Sequence, residues 1–98
     1  MNVEAPFNIS IAKLVELLRF PSISTHPDYK QAMTDCQNWL TAYLADSGFP
    51  CVELWSCEGH GAVFASWEID PSLPTLLIYG HYDVQPPEPL ELWKSPPF

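Results

Sequence analysis

The run Thr75-Leu76-Leu77-Ile78-Tyr79-Gly80-His81-Tyr82-Asp83 constrains this chain more than any other stretch. Five consecutive apolar or β-branched residues follow Pro74 and stop at Gly80. A short run that is apolar on both faces and bounded by proline and glycine predicts a fully buried strand. A strand of that kind needs cover on both faces of its sheet. The fold class it predicts is α/β: two N-terminal helices, a β-hairpin, then a buried central strand over about 75–80. In an extended backbone, residues two apart point to the same side. His81 and Asp83 therefore address one spot just beyond the strand's carboxyl end, where open α/β sheets place their ligands.

The rest of the sequence supplies the helices and the hairpin. Residues 1–7 read as a short lead. Asn8 or Ser10 can cap a helix, and Ile11, Leu14, Val15 and Leu18 then recur at helical spacing with Lys13, Glu16 and Arg19 opposite them. Pro21 stops this helix near Arg19, giving a span of about 9–19. Thr25 with Asp28 has the outline of a capping box, and Pro27 suits a first turn. The second helix is predicted over about 27–47, with Tyr29, Ala32, Met33, Cys36, Leu40, Tyr43 and Leu44 as its stripe and Trp39 at the margin. Gly48 ends it as a left-handed cap, and Pro50 prevents continuation. Both stripes read as core faces. Strands over about 51–57 and 62–68, joined through Glu58-Gly59-His60-Gly61, predict the hairpin. Prolines at 86, 87, 89, 96 and 97 make 82–98 an extended, proline-rich loop.

Composition narrows the function classes. The 98 residues suffice for one small domain or part of a larger one, and 47% apolar content argues against disorder. Net charge is −8, and the only basic residues, Lys13, Arg19, Lys30 and Lys94, are scattered. That argues against a phosphate-tracking surface, so neither nucleic acid nor an anionic membrane is an expected partner. No secretory signal pattern or membrane-length apolar run is present, which predicts a cytoplasmic, reducing setting with Cys36, Cys51 and Cys57 as free thiols. Cys51 and Cys57 lie about 20 Å apart along a strand, beyond disulfide reach. Cys57 and His60 have a Cys-x-x-His spacing but lack the second close pair of a structural zinc site. A buried thiol and a solvated turn histidine are expected instead. His26, Glu88 and Glu91 read as surface residues. There is no internal repeat, Gly-rich phosphate loop or Gly-x-Ser-x-Gly elbow.

By spacing alone, His81 and Asp83 admit two readings. One is a metal ligand whose other ring N–H is held by a carboxylate. The other is a hydrogen-bonded strand end in a non-catalytic α/β interaction or regulatory module. The longer string Gly80-His81-Tyr82-Asp83-Val84-Gln85-Pro86, followed by Trp93 and Pro96-Pro97-Phe98, resembles the first active-site segment of the co-catalytic zinc peptidases. That family includes glutamate carboxypeptidase, the acetylornithine and succinyl-diaminopimelate deacylases and the carnosine-type dipeptidases, and the wording is most similar to the dipeptidase branch. Phe20-Pro21-Ser22-Ile23-Ser24 after the first helix is also familiar in it.

The resemblance implies that His81 is a zinc ligand and Asp83 the catalytic-site carboxylate that orients it. It implies that residues 1–98 are the N-terminal part of a metallopeptidase catalytic domain. The activity implied is zinc-dependent hydrolysis of a peptide or amide bond, dipeptidase- or carboxypeptidase-like, in a dipeptide or small peptide. Two Zn2+ per complete active site and a homodimeric full-length protein are implied as well. One histidine cannot hold a catalytic zinc, which takes about three protein ligands plus water. The general base and the other ligands are expected outside these residues, so this chain alone is expected to be inactive and to expose apolar patches.

Overall fold

The computed structural model describes residues 4–98. Of the lead expected over 1–7, residues 1–3 lie outside the described residues. The elements in chain order are helix α1 (Glu4–Leu18), a 3-10 turn at Pro27–Tyr29, helix α2 (Lys30–Asp46), strands β1 (Cys51–Trp55) and β2 (Ala62–Ser66), and a second 3-10 turn at Leu90–Leu92. No helix among the described residues is long and apolar enough to cross a membrane.

α1 begins well before the expected cap. Pro6 sits in its first turn, where a missing N–H costs little. Ser10 donates to the Pro6 carbonyl at 2.9 Å from inside the helix and so is not its cap. The apolar stripe of α1 is also not the core face it was expected to be. Ile11, Leu14, Val15 and Leu18 are all exposed, and Leu17 is half-buried. Periodicity identifies the apolar side of a helix but not whether anything covers it. α1 is held to α2 by a polar link, the indole N–H of Trp39 on the Glu16 carboxylate at 3.1 Å. The Trp39 ring stacks on Tyr43, with centroids 5.1 Å apart.

α2 does carry the core. Met33, Cys36 and Gln37 are its buried residues, and with Ser22 and Ile23 of the inter-helix linker they form the buried centre. Burial pushes the Cys36 thiol pKa up, against a lowering hydrogen bond from Ser22. The 3-10 turn that leads into α2 is capped by His26 and not Thr25, since the His26 ring nitrogen Nδ1 accepts the Asp28 N–H at 3.2 Å, and α2 itself follows Tyr29 with no side-chain cap. At the other end Gly48 takes φ 101°, as a left-handed cap requires.

α2 packs across a two-stranded antiparallel sheet whose register runs from Cys51 opposite Ser66 to Trp55 opposite Ala62. Both strands stop two residues sooner than expected, at Trp55 and Ser66. Trp55 stacks diagonally on Phe64 with centroids 4.5 Å apart. Residues 56–61 form the loop, with Gly59 at φ 98°.

The buried central strand expected over 75–80 is overturned. These residues belong to no strand, form no backbone hydrogen bond among the described residues, and leave Leu76, Leu77, Ile78 and Tyr79 83–88% exposed. The apolar run records what both faces would bury. Burial itself needs pairing strands and covering helices, and the described elements supply neither to this segment.

Order returns at Tyr82. The Val84 N–H donates to the Ser22 carbonyl at 2.9 Å and closes a parallel bridge between Ile23 and Val84. The Ser22 hydroxyl donates to the Tyr82 carbonyl at 2.7 Å. The Tyr82 side chain turns into the body. Its hydroxyl donates to the Gly61 carbonyl at 2.6 Å and accepts from the Gln37 amide at 2.7 Å. Gln37, the one polar residue of the buried helix face, is thereby satisfied.

Two stability measurements check this description. Met33→Ala removes the middle of a very small core and should lower unfolding free energy by about 2–5 kcal/mol in a urea titration. Tyr82→Phe leaves the Gly61 carbonyl and the Gln37 amide unpartnered and should cost about 1–3 kcal/mol. A Tyr82→Phe protein as stable as wild type would show that the hydroxyl is not the joint between helix and hairpin.

Candidate functional site

The Ser22–Val84 clasp fixes the backbone on which His81 and Asp83 sit. His81 Nδ1 lies 3.0 Å from Asp83 Oδ1 and 3.1 Å from the Asp83 carbonyl oxygen. Both partners are acceptors, so Nδ1 carries a hydrogen, and in the neutral ring Nε2 is the nitrogen that presents a lone pair. Nε2 has no hydrogen-bond partner among the described residues, and the His81 side chain is 74% exposed. The pair expected from an i, i+2 spacing is therefore assembled, with the imidazole turned outward and its carboxylate behind it.

Asp83 is itself held. Its second oxygen, Oδ2, accepts from the Ser24 hydroxyl at 2.6 Å. That hydrogen bond, opposed by the cost of burial and helped by a further one from His81, lowers the Asp83 pKa below the usual carboxylate value. The group is thus anionic at neutral pH and acts as an acceptor for both neighbours. Burial, opposed by the hydrogen bond from Gln37, raises the pKa of the intervening Tyr82 phenol.

His60 departs from expectation. It is half-buried, and its Nε2 lies 3.1 Å from the Ser24 carbonyl, so this nitrogen carries the hydrogen. The exposed Cys57 thiol donates to the His60 carbonyl at 2.9 Å. All three cysteines are free. His81, Asp83, Ser24 and His60 line one end of an open cavity of about 700 Å³ whose other walls include Met33 and Leu40 of α2 and Val63 of β2. Glu88 and Glu91 are exposed and take no part in it.

No group of three or more His, Cys, Asp or Glu side chains that could hold a metal occurs among the described residues. What is present fits one coordination position: an imidazole with Nε2 free of protein partners among the described residues and a carboxylate on the opposite nitrogen, the donor arrangement that suits zinc.

Sequence reasoning found His81 and Asp83 and missed Ser22, Ser24, Gln37 and Tyr82. Alternation carried a signal for Tyr82. Lying between two residues that face outward, it must face the body. Gln37 was legible as a polar residue one turn from Met33 in an apolar stripe. Ser24 lies 59 positions from Asp83, and no local spacing connects them.

No family model matches the sequence. The chain is 36% identical over 91 residues to succinyl-diaminopimelate desuccinylase of Stenotrophomonas maltophilia, a match covering 85% of this chain and 20% of that protein. It is 25% identical to the Cys-Gly metallodipeptidase DUG1 of Saccharomyces cerevisiae, over 89% of this chain and 21% of that one. Among solved structures it superimposes on the di-peptidase Dug1p of Saccharomyces cerevisiae with a TM-score of 0.81 at 22% identity, covering 95% of this chain and 22% of Dug1p. That likeness shows a shared fold. The chain spans about a fifth of the length of the curated relatives it matches. On these sequence matches the chain belongs to the family of the succinyl-diaminopimelate desuccinylases and the Cys-Gly metallodipeptidases.

Proposed function

We propose that the protein carrying these residues is a zinc-dependent hydrolase of a peptide or amide bond, dipeptidase- or carboxypeptidase-like, and that residues 1–98 form the N-terminal part of its catalytic domain. The observation that carries this reading is the His81 imidazole, held through Nδ1 by Asp83 at 3.0 Å with Nε2 left free. Relatives named as a desuccinylase and as a metallodipeptidase support it.

In this reading His81 Nε2 is one metal ligand. Asp83 keeps the ring in the Nδ1–H tautomer, stops it rotating, and raises the basicity of the coordinating nitrogen. Two zinc ions, if bound in the complete site, would supply Lewis acidity for activating water and polarising a carbonyl. One imidazole is one of about four ligands that a zinc needs, so the other ligands and the general base belong to other residues of the protein. The 98 residues alone are then inactive. The substrate is a dipeptide or small peptide. The resemblance further supports a homodimer, and three free thiols suit a cytoplasmic location.

Metal analysis and activity of the whole protein test this. His81→Ala should abolish hydrolysis together with loss of bound zinc. Asp83→Asn should keep the fold and weaken zinc binding by about 10–100-fold in a competition titration against a chromogenic chelator. Full zinc occupancy and undiminished turnover in the His81→Ala protein would rule the reading out.

A further inference from the structure

We infer that Ser24 is a positioning residue for the His81 imidazole, acting through Asp83. The inference rests on the metal-ligand reading of His81 for its consequence but on geometry for its mechanism. The side chains form a directional chain: the Ser24 hydroxyl donates to Asp83 Oδ2 at 2.6 Å, and Asp83 Oδ1 accepts from His81 Nδ1 at 3.0 Å.

A carboxylate is free to turn about its last bond. The Asp83 side chain is 41% exposed, so water competes for both oxygens. Fixing Oδ2 on a stationary donor sets the plane of the group and leaves Oδ1 aimed at Nδ1. Ser24 qualifies as stationary. Its carbonyl accepts from His60 Nε2 at 3.1 Å, and the two residues before it, Ser22 and Ile23, are 2% and 1% exposed. Ile23 is also bridged to Val84, the residue after Asp83. The hydroxyl that orients the carboxylate and the backbone that carries the carboxylate thus belong to one rigid clasp. Ser24 neither touches the imidazole nor is a metal ligand. Its role is to hold the acceptor that selects the ring tautomer.

The test compares wild type with Ser24→Ala and Ser24→Thr in two measurements. The first is the His81 ring tautomer in metal-free protein at neutral pH, read from long-range 1H–15N correlations of the imidazole. Wild type and Ser24→Thr should show the Nδ1–H form alone, and Ser24→Ala a mixture of Nδ1–H and Nε2–H. The second is zinc affinity of the whole protein. Ser24→Ala should lose about 10-fold, the low end for a supporting group, because water partly replaces the hydroxyl. Ser24→Thr, which keeps the hydroxyl, should restore it.

A wild-type tautomer and affinity in Ser24→Ala would overturn the inference. So would equal impairment of Ser24→Thr and Ser24→Ala, because a merely space-filling serine is not rescued by a hydroxyl. Should Ser24→Ala fail to fold, Ser24→Cys, similar in size and a weak donor, is scored by the same outcomes. Zinc binding that survives His81→Ala sinks the metal-ligand reading, and the tautomer comparison then still decides the role of Ser24.

Discussion

The hydrogen bond from the Val84 N–H to the Ser22 carbonyl is the joint on which the arrangement of the site depends. It joins the linker between the two helices to the segment that follows the hairpin and the unpaired run at 75–80. Closing a loop of that length costs chain entropy, but the cost grows only slowly with length. Burial of Ser22 and Ile23 against α2 offsets it, together with the hydrogen bonds at Ser22 and Tyr82. Without the joint, His81 and Asp83 would hang from residues that have no secondary structure of their own. With it, a histidine and a carboxylate on an otherwise open segment acquire a defined orientation.

Local pattern made some of the architecture legible and left the rest hidden. α2 was readable because spacing, a left-handed glycine at 48 and a proline at 50 agree on one element. The hairpin was readable because two short apolar runs flank a glycine-bracketed turn. The error at 75–80 has a definite cause. An apolar run reports the solvent a segment prefers, whereas burial is a property of its neighbours. The same distinction explains α1, a true helix whose apolar stripe faces solvent among the described residues. Helix starts were misplaced for a simpler reason. Pro6 was accommodated in a first turn, and ahead of α2 a 3-10 turn intervenes, capped by His26 in place of the serine, threonine or aspartate that usually caps.

The site was legible in the same uneven way. His81 and Asp83 are two apart, and backbone alternation alone puts them together. The groups that hold them come from three other places: Ser22 and Ser24 from the linker, Gln37 from α2, and Gly61 from the hairpin loop. Such contacts are set by tertiary folding, and of them only Tyr82, forced inward by the alternation that sends its neighbours outward, and Gln37, a polar residue in an apolar stripe, gave notice. The division is physically natural. Ligand-bearing atoms need a particular local geometry, whereas their supports need only arrive at the right point in space from any part of the chain.

Tyr82 occupies the centre of that division. Its hydroxyl bonds helix and hairpin loop at once, and its peptide neighbours are the imidazole and the carboxylate. Separating α2 from the loop must therefore tug on the backbone between His81 and Asp83. Thermodynamic linkage runs both ways. An ion or substrate that grips the imidazole more tightly in this arrangement than in a loosened one must brace the seam between helix and hairpin by the same free energy, so occupancy of the site and cohesion of the body beneath it are a single equilibrium viewed from two ends.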